Sequence, residues 1–301
     1  MALSGTIVLS YTSWPGYLAG GSWGVPGWAR VIEYAPVLAL GLWGLGRAGR
    51  KKGAAPFFPS RGLGRVGVII PARNEAAALR EVLTELPRGL VREVVVVDNS
   101  STDGTAEVAA LCGARVVREP VPGYGRACLA GLAALDPSVD TVVFLDGDHA
   151  DYPEELPSLL APIAEGRADL VIGSRAAQAQ HGSLTLPQRL GNRLACALLR
   201  LLFGVRYTDL GPFRAVRRRA LDALRMEDCA FGWTVEMQAK AARQGLRVAE
   251  VQVRYRPRIG RSKISGTLSG TVRAGVGILS TLVKVAWGQR SQGQASSEAS
   301  S

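Results

Sequence analysis

The stretch TVVFLDGD, Thr141–Asp148, decides the fold. Five β-branched or apolar residues run without a break, and two carboxylates follow two positions apart. A short run of this kind fits a strand covered on both faces. The same pattern recurs outward from it. Val66–Ile70 (VGVII) ends at Pro71, and Glu93–Asp98 (EVVVVD) ends on a carboxylate. Ala114–Arg118 and Leu170–Gly173 read as further strands. Between them Asn74–Leu86, Thr105–Leu111, Gly123–Leu135 and Pro153–Ala164 have helical composition. Strands alternating with helices predict an α/β fold with a mainly parallel sheet flanked by helices. Ligands bind such sheets at the carboxyl ends of the strands. Here those ends carry Pro71-Ala72-Arg73-Asn74-Glu75, Asp98-Asn99-Ser100-Ser101 and Asp146-Gly147-Asp148, so acidic and polar groups are expected to face one crevice.

Beyond Gly173 the chain is more helical. Leu186–Phe203 and Thr234–Gln244 read as helices, Asp209–Arg214 as a loop and Val248–Tyr255 as a strand. Leu268, Val272, Val276, Leu279, Val283 and Ala286 recur at spacings of three and four, which predicts a C-terminal amphipathic helix. The expected organisation is an N-terminal extension over 1–62, a catalytic domain over 63–265, that helix over 266–288, and a small, polar, disordered tail over 289–301.

The net charge of +11 attracts polyanions: nucleic acid, acidic membranes or phosphorylated substrates. No nucleic-acid-reading motif is present, so a nucleic-acid partner is not expected. Four cysteines without a CxxC pair, and only two histidines, give little support for zinc or a disulfide framework. Free thiols fit a reducing cytosol. No apolar run reaches the length of a bilayer span. Residues 1–62 hold Trp14, Trp23, Trp28 and Trp43, and the basic cluster Arg47, Arg50, Lys51 and Lys52. That is the composition of an anchor on an anionic membrane surface, or of a Gly-rich leader without a role.

Asp146 and Asp148 at a strand exit can share one hard divalent cation, Mg²⁺ or Mn²⁺, with substrate phosphates. A carboxylate at Asp98 can accept hydrogen bonds from a nucleobase or ribose. The Ser/Thr/Gly turn after it opens a helix whose N–H groups favour anions.

PARNE, VVVVDNSSTDGT, FLDGDHADYPEELP and VIGSR, followed by TDLGPFRA, FGWTVEMQAKAARQGL and RIGRSKISGT, occur in the order found in one family. Together they span about residues 66–267, and the chain resembles family 2 of the inverting glycosyltransferases. Within it, the chain is similar to bacterial relatives of the polyprenyl- and dolichyl-phosphate hexosyltransferases. The resemblance implies a GT-A fold and an enzyme moving a hexose from a UDP- or GDP-sugar to a lipid-phosphate or glycan acceptor, at the cytoplasmic face. It implies that Pro71, Ala72, Glu75 and Asp98 hold the nucleoside and that Gly123 and Arg126 shape its pocket. Asp146 would lie at the ribose or diphosphate, with Asp148 carrying the metal. Arg214 would approach the sugar or acceptor phosphate, and Arg258, Ser262 and Lys263 would close over phosphates on a loop.

The chain departs from the family in two places. Asn99 stands where a second acidic residue is common, and Ala150 where lipid-phosphate transferases often have Gln, with Asp151 next to it as a substitute metal ligand. A hydroxyl acceptor needs a general base, for which Asp209 and Glu236 are the candidates; a phosphate acceptor does not. A buried structural carboxylate is the alternative for Glu236. The rival activities are a nucleotidyltransferase, which PARNE in place of a Gly/Lys phosphate loop disfavours, and a basic nucleic-acid-binding protein.

Overall fold

The computed structural model describes residues 62–260 and 268–287. The expectations for residues 1–61, for Ser262 and Lys263, and for the tail lie outside them. The strands are β1 (Val66–Ala72), β2 (Glu93–Asp98), β3 (Arg115–Arg118), β4 (Thr141–Phe144), β5 (Leu170–Ser174), β6 (Arg214–Arg217) and β7 (Val248–Gln252). The helices are α1 (Ala76–Glu85), α2 (Thr105–Leu111), α3 (Tyr124–Ala134), α4 (Leu156–Ala164), α5 (Leu186–Phe203), α6 (Arg218–Leu224), α7 (Trp233–Gln244) and α8 (Leu268–Trp287).

Among the described residues, seven strands form one sheet in the order β3-β2-β1-β4-β6-β5-β7. Only β6 runs antiparallel to its neighbours. β6 and α6 are the elements the sequence did not reveal. Arg214-Ala215-Val216-Arg217 carries a cation at each end, yet all four residues are buried. Arg217 is tolerated because its guanidinium donates to the Ile163 carbonyl at 2.6 Å and lies 3.8 Å from Asp169.

Alternation along the strands divides the core. Ile69, Val95, Val97, Val142 and Phe144 face α3, α5, α6, α7 and α8. Val68, Ile70, Val94, Val96, Val143 and Leu145 face α1, α2 and α4. Trp233, at the start of α7, meets Phe144 edge-on, with ring centroids 5.7 Å apart. On α8 the docked face is Ile278, Thr281, Leu282 and Val285, while Val276 and Leu279 of the expected stripe are exposed. The helix is apolar over more than one face, so its sequence period did not single out the docked one.

The site-facing end of α3 is fixed by close packing behind it. A Cβ at Gly131 would lie 2.5 Å from Ile69 Cγ2 and 3.0 Å from Val97 Cγ2. Gly131→Val is therefore expected to cost about 1–3 kcal/mol of stability by overpacking. Urea denaturation measures it, and an unchanged midpoint would contradict this contact.

Candidate active site

The parallel strands end at one rim. Because β6 runs the other way, the segment before it, residues 208–213, arrives at that same rim. Strand order reverses direction between β1 and β4, and the crevice at such a switch point is where these sheets take ligands. Asp146 stands there, two residues beyond Phe144, the partner of Ile69. Asp98 pairs with Ala72 on the other side of β1. Two strand spacings, about 10 Å, separate these positions. Asp98, Asp146 and Asp148 therefore share the rim.

The backbone is bent sharply there. Asn74, Ser100 and His149 have positive φ, at 53°, 58° and 62°, and they follow β1, β2 and β4. Such conformations cost of order 1–3 kcal/mol each and need support from their surroundings. Asn74 has that support: its amide donates to Ser101 Oγ at 3.0 Å, and its Oδ1 accepts from the Thr102 amide at 2.7 Å.

Asp146 Oδ1 accepts the Tyr124 hydroxyl at 3.0 Å. Asp148 is buried; its Oδ1 accepts the Ala150 amide at 3.0 Å, and its Oδ2 meets Arg258 Nη1 at 2.9 Å. Burial, and then the charge of Asp148, push the Asp146 carboxyl up to about 7. The segment carrying Arg258 is laid along this turn by two backbone bonds, Ile259 N to Asp148 O at 3.0 Å and Arg256 N to Ala150 O at 2.9 Å. Among the described residues no cluster of three or more His, Cys, Asp or Glu side chains could hold a metal. Asp151 stands next to the pair. It is buried with neither carboxyl oxygen hydrogen-bonded, and burial followed by the charge of Asp146 raises its pKa.

Pro71 and Ala72 are buried in the wall of β1, and Glu75 is half-buried just before α1. Asp98 Oδ1 accepts the Ser101 amide at 3.1 Å. With Ser101, Asp103, Glu107, Arg118 and Glu119, Asp98 lines an open cavity of about 290 Å³. Asn99 has a use that a second carboxylate could not serve. Its Nδ2 donates to the carbonyls of Glu119 and Val121, while its Oδ1 accepts the Gly123 amide at 2.7 Å. Beyond Gly123 the start of α3 is pressed by residues 228–230. A Cβ at Gly125 would lie 1.9 Å from the Asp228 carbonyl, and one at Gly123 would lie 2.4 Å from that of Cys229. The Gly125 and Arg126 amides donate to the carbonyls of Ala230 and Cys229 at 3.1 Å. Those helix-start amides are occupied, and only the exposed Arg126 side chain is left to reach a ligand.

Three assignments change. Arg214 is fully buried and donates to the carbonyls of Gly211, Thr234 and Leu210, so it braces the rim loop from behind. Burial draws its pKa down to about 10. Glu236 is saturated: it accepts the amides of Glu227 and Asp228 and pairs with Lys240 Nζ at 2.7 Å. The geometry gives it the structural role. Asp209 is gripped by Arg175, whose Nε, Nη2 and backbone amide approach within 2.7–2.8 Å. Burial alone would raise the Asp209 carboxyl, but Arg175 outweighs it and the pKa is lowered, which weakens it as a base. Arg175, whose guanidinium also lies 4.9 Å from the Tyr255 ring centroid, and Tyr124 were not singled out in the sequence. The VIGSR motif was the one signal for Arg175.

A mainly parallel sheet covered on both faces, with an acidic pair at its switch point, fits a glycosyltransferase of the GT-A fold. Residues 67–225 match Glycosyl transferase family 2, and the chain belongs to that family. An uncharacterized glycosyltransferase of Mycobacterium tuberculosis is 41% identical over 212 residues, covering 69% of this chain and 94% of that protein. The undecaprenyl-phosphate mannosyltransferase of Micrococcus luteus is 34% identical over 223 residues, covering 68% and 90%. Among solved structures, glucosyl-3-phosphoglycerate synthase from Mycobacterium tuberculosis, in complex with Mn²⁺, UDP and glucosyl-3-phosphoglycerate, aligns with a TM-score of 0.60 and 26% identity. That alignment covers 74% of this chain and 80% of the synthase.

Removing one partner of a buried ion pair costs about 3–5 kcal/mol. Glu236→Ala is expected to lose that much stability in urea unfolding, because Lys240 and two amides lose their acceptor. Unchanged stability with turnover abolished would restore Glu236 as a base.

Proposed function

We propose that the protein transfers a hexose, with inversion, from a UDP- or GDP-sugar to a phosphate-bearing lipid acceptor. A divalent cation, Mg²⁺ or Mn²⁺, would be held by Asp146 and Asp148. The observation that carries this reading is the carboxylate pair at the switch point. Two acids crowd together in a buried turn, and the cation beside Asp148 is the side chain of Arg258. A dication would suit that pair of acids better than a guanidinium does, because hard divalent cations prefer carboxylate and phosphate oxygens. When bound, it neutralises the charge developing on the leaving diphosphate.

The remaining roles belong to the chain. Asp98 and the wall formed by Pro71, Ala72 and Glu75 orient the nucleoside. Tyr124 holds Asp146 by one oxygen and leaves the other for the ligand. Arg258 binds phosphate oxygens once released from Asp148, and Ser262 and Lys263 extend that contact. Arg126 reaches the diphosphate by its side chain. Arg175, held by Asp209 and stacked near Tyr255, fixes the turn after β5 at the rim.

The state of the two base candidates supports this acceptor class. Asp209 is neutralised by Arg175 and Glu236 is saturated, so neither is free to take a hydroxyl proton. A phosphate oxygen attacks without one. The named activity of the Micrococcus luteus relative supports the same class, and the Mn²⁺ and UDP bound by glucosyl-3-phosphoglycerate synthase support the cation and donor.

Asp148→Asn is expected to lower kcat/KM by at least about a hundredfold with the fold retained by circular dichroism. The assay follows nucleoside diphosphate release; pyrophosphate release, or full activity in the variant, would remove this reading. A second expectation concerns pH. The folded protein holds the Asp146 proton more tightly than the unfolded chain does, so this group favours folding at low pH and the gain is lost as pH rises through about 7. A cation must displace that proton. Mn²⁺ affinity is therefore expected to rise with pH up to about 7 and then level off. Affinity independent of pH from 5 to 8, in calorimetric titration, would separate Asp146 from the cation.

A further inference from the structure

We propose that the outward face of α5 is a docking surface for an anionic lipid bilayer. This helix is bound to the protein through Ala195, Cys196 and Leu199, which are buried. At 3.6 residues per turn, Leu186, Leu190, Leu194, Ala197 and Leu201 fall within an arc of about 80° on the opposite side. All five are exposed, the leucines by 55–69%. Arg189, Arg193 and Arg200 form an adjacent arc of about 40°. They too are exposed, and none pairs with an acidic side chain among the described residues.

A row of leucines beside a row of arginines is the pattern of a helix lying in a membrane interface. The leucines enter the acyl boundary, while the arginine stems lie along it and their guanidinium groups stay with the headgroup phosphates. This charge complementarity selects the occupant. An apolar protein partner would leave the guanidinium groups desolvated and unmatched, whereas an anionic bilayer offers both phases in the right order. The face is also built before any membrane arrives. Thr185 and Gln188 form a capping box at its start, and Gly204, with φ of 72°, ends it.

The same helix holds the site. Asn192 Nδ2 donates to the Thr208 carbonyl at 3.2 Å, and Asn192 Oδ1 accepts the Leu210 amide at 2.9 Å, so the Asp209 segment hangs from α5. Asn192 lies on the side of α5 opposite the leucine row, so the leucine face is left clear of the Asp209 segment. Packed against α5, α8 leaves Val276, Leu279 and Trp287 exposed as well. The surface is independent of the tryptophans of residues 1–62, and of whether the acceptor is a lipid phosphate or a glycan.

The test uses the full chain and co-sedimentation with vesicles of phosphatidylglycerol and phosphatidylcholine, or of phosphatidylcholine alone. Leu190→Glu combined with Leu194→Glu is expected to lower partitioning at least about tenfold. Replacing Arg189, Arg193 and Arg200 by Gln is expected to lower partitioning onto the anionic vesicles about a hundredfold and to affect the neutral ones little. Both variants should keep the wild-type melting temperature and mass in lipid-free solution. Three results overturn the proposal: a wild-type protein that ignores anionic vesicles at low salt, variants that bind as well as wild type, or a leucine variant with a lowered melting temperature or altered oligomeric mass. The last would mean that protein, from this chain or a second copy, covers the face. Nucleoside diphosphate release without vesicles is read separately, so failure here leaves the transferase reading standing.

Discussion

Two carboxylates placed two residues apart, at the exit of a strand buried on both faces, repel each other where water cannot screen them. Burial first, and that repulsion second, hold the Asp146 proton up to about pH 7, while Asp148 takes Arg258 as its partner. Much of the rim is arranged around that repulsion. Tyr124 occupies one oxygen of Asp146. The segment leading to Arg258 lies along the turn through two backbone bonds, and Arg256 ties it further by pairing with Glu85, which also takes His149. Left-handed backbone at Asn74, Ser100 and His149 bends the chain so that three strand ends face one crevice.

The single antiparallel strand completes the site. In a wholly parallel sheet the segment before β6 would lie at the far edge. Reversal carries Asp209 to the ligand edge and lets it clamp Arg175, which follows β5. Buried Arg214 then holds the loop by its carbonyls, and α7 supplies both Thr234 for Arg214 and Glu236 for the residues 227–228 turn. Asp228 passes the connection on: it accepts the amides of Ala230 and Gly232 and the hydroxyl of Thr281 on α8. Side chains that looked catalytic by charge alone thus brace the loops on which the ligand-facing groups stand.

The parallel half of the fold was legible because its strands are apolar on both alternations. Glu93–Asp98, Thr105–Leu111 and Leu186–Phe203 appear in the structure with the bounds read from the sequence. β6 was not legible, since a four-residue strand with arginine at both ends has no hydrophobic period and is buried only by its insertion between β4 and β5 with helices over both faces. On α8 the apolar residues cover too wide an arc for spacing to pick out the docked face. At the site, Asp98, Asp146 and Asp148 could be placed because strand ends follow from the strands. The functions of Asp209, Glu236 and Arg214 could not, because a charge in a sequence does not reveal its partner, and Arg175, Lys240 and the inner carbonyls are 34, 4 and 3 to 20 residues away. Asn99 is the reverse case: an apparent loss of a carboxylate is a gain of two donors that fix the loop over residues 119–123.

The central claim, a cation gripped by Asp146 and Asp148 together with a leaving diphosphate, is tested most directly by crystals grown with Mn²⁺ and UDP or GDP and measured at the manganese edge. The expected result is one anomalous peak within coordination distance of both carboxylates and of diphosphate oxygens, with Arg258 moved off Asp148 onto phosphate. A peak elsewhere, or a bound nucleotide with Arg258 still paired to Asp148 and no metal between the acids, would contradict it.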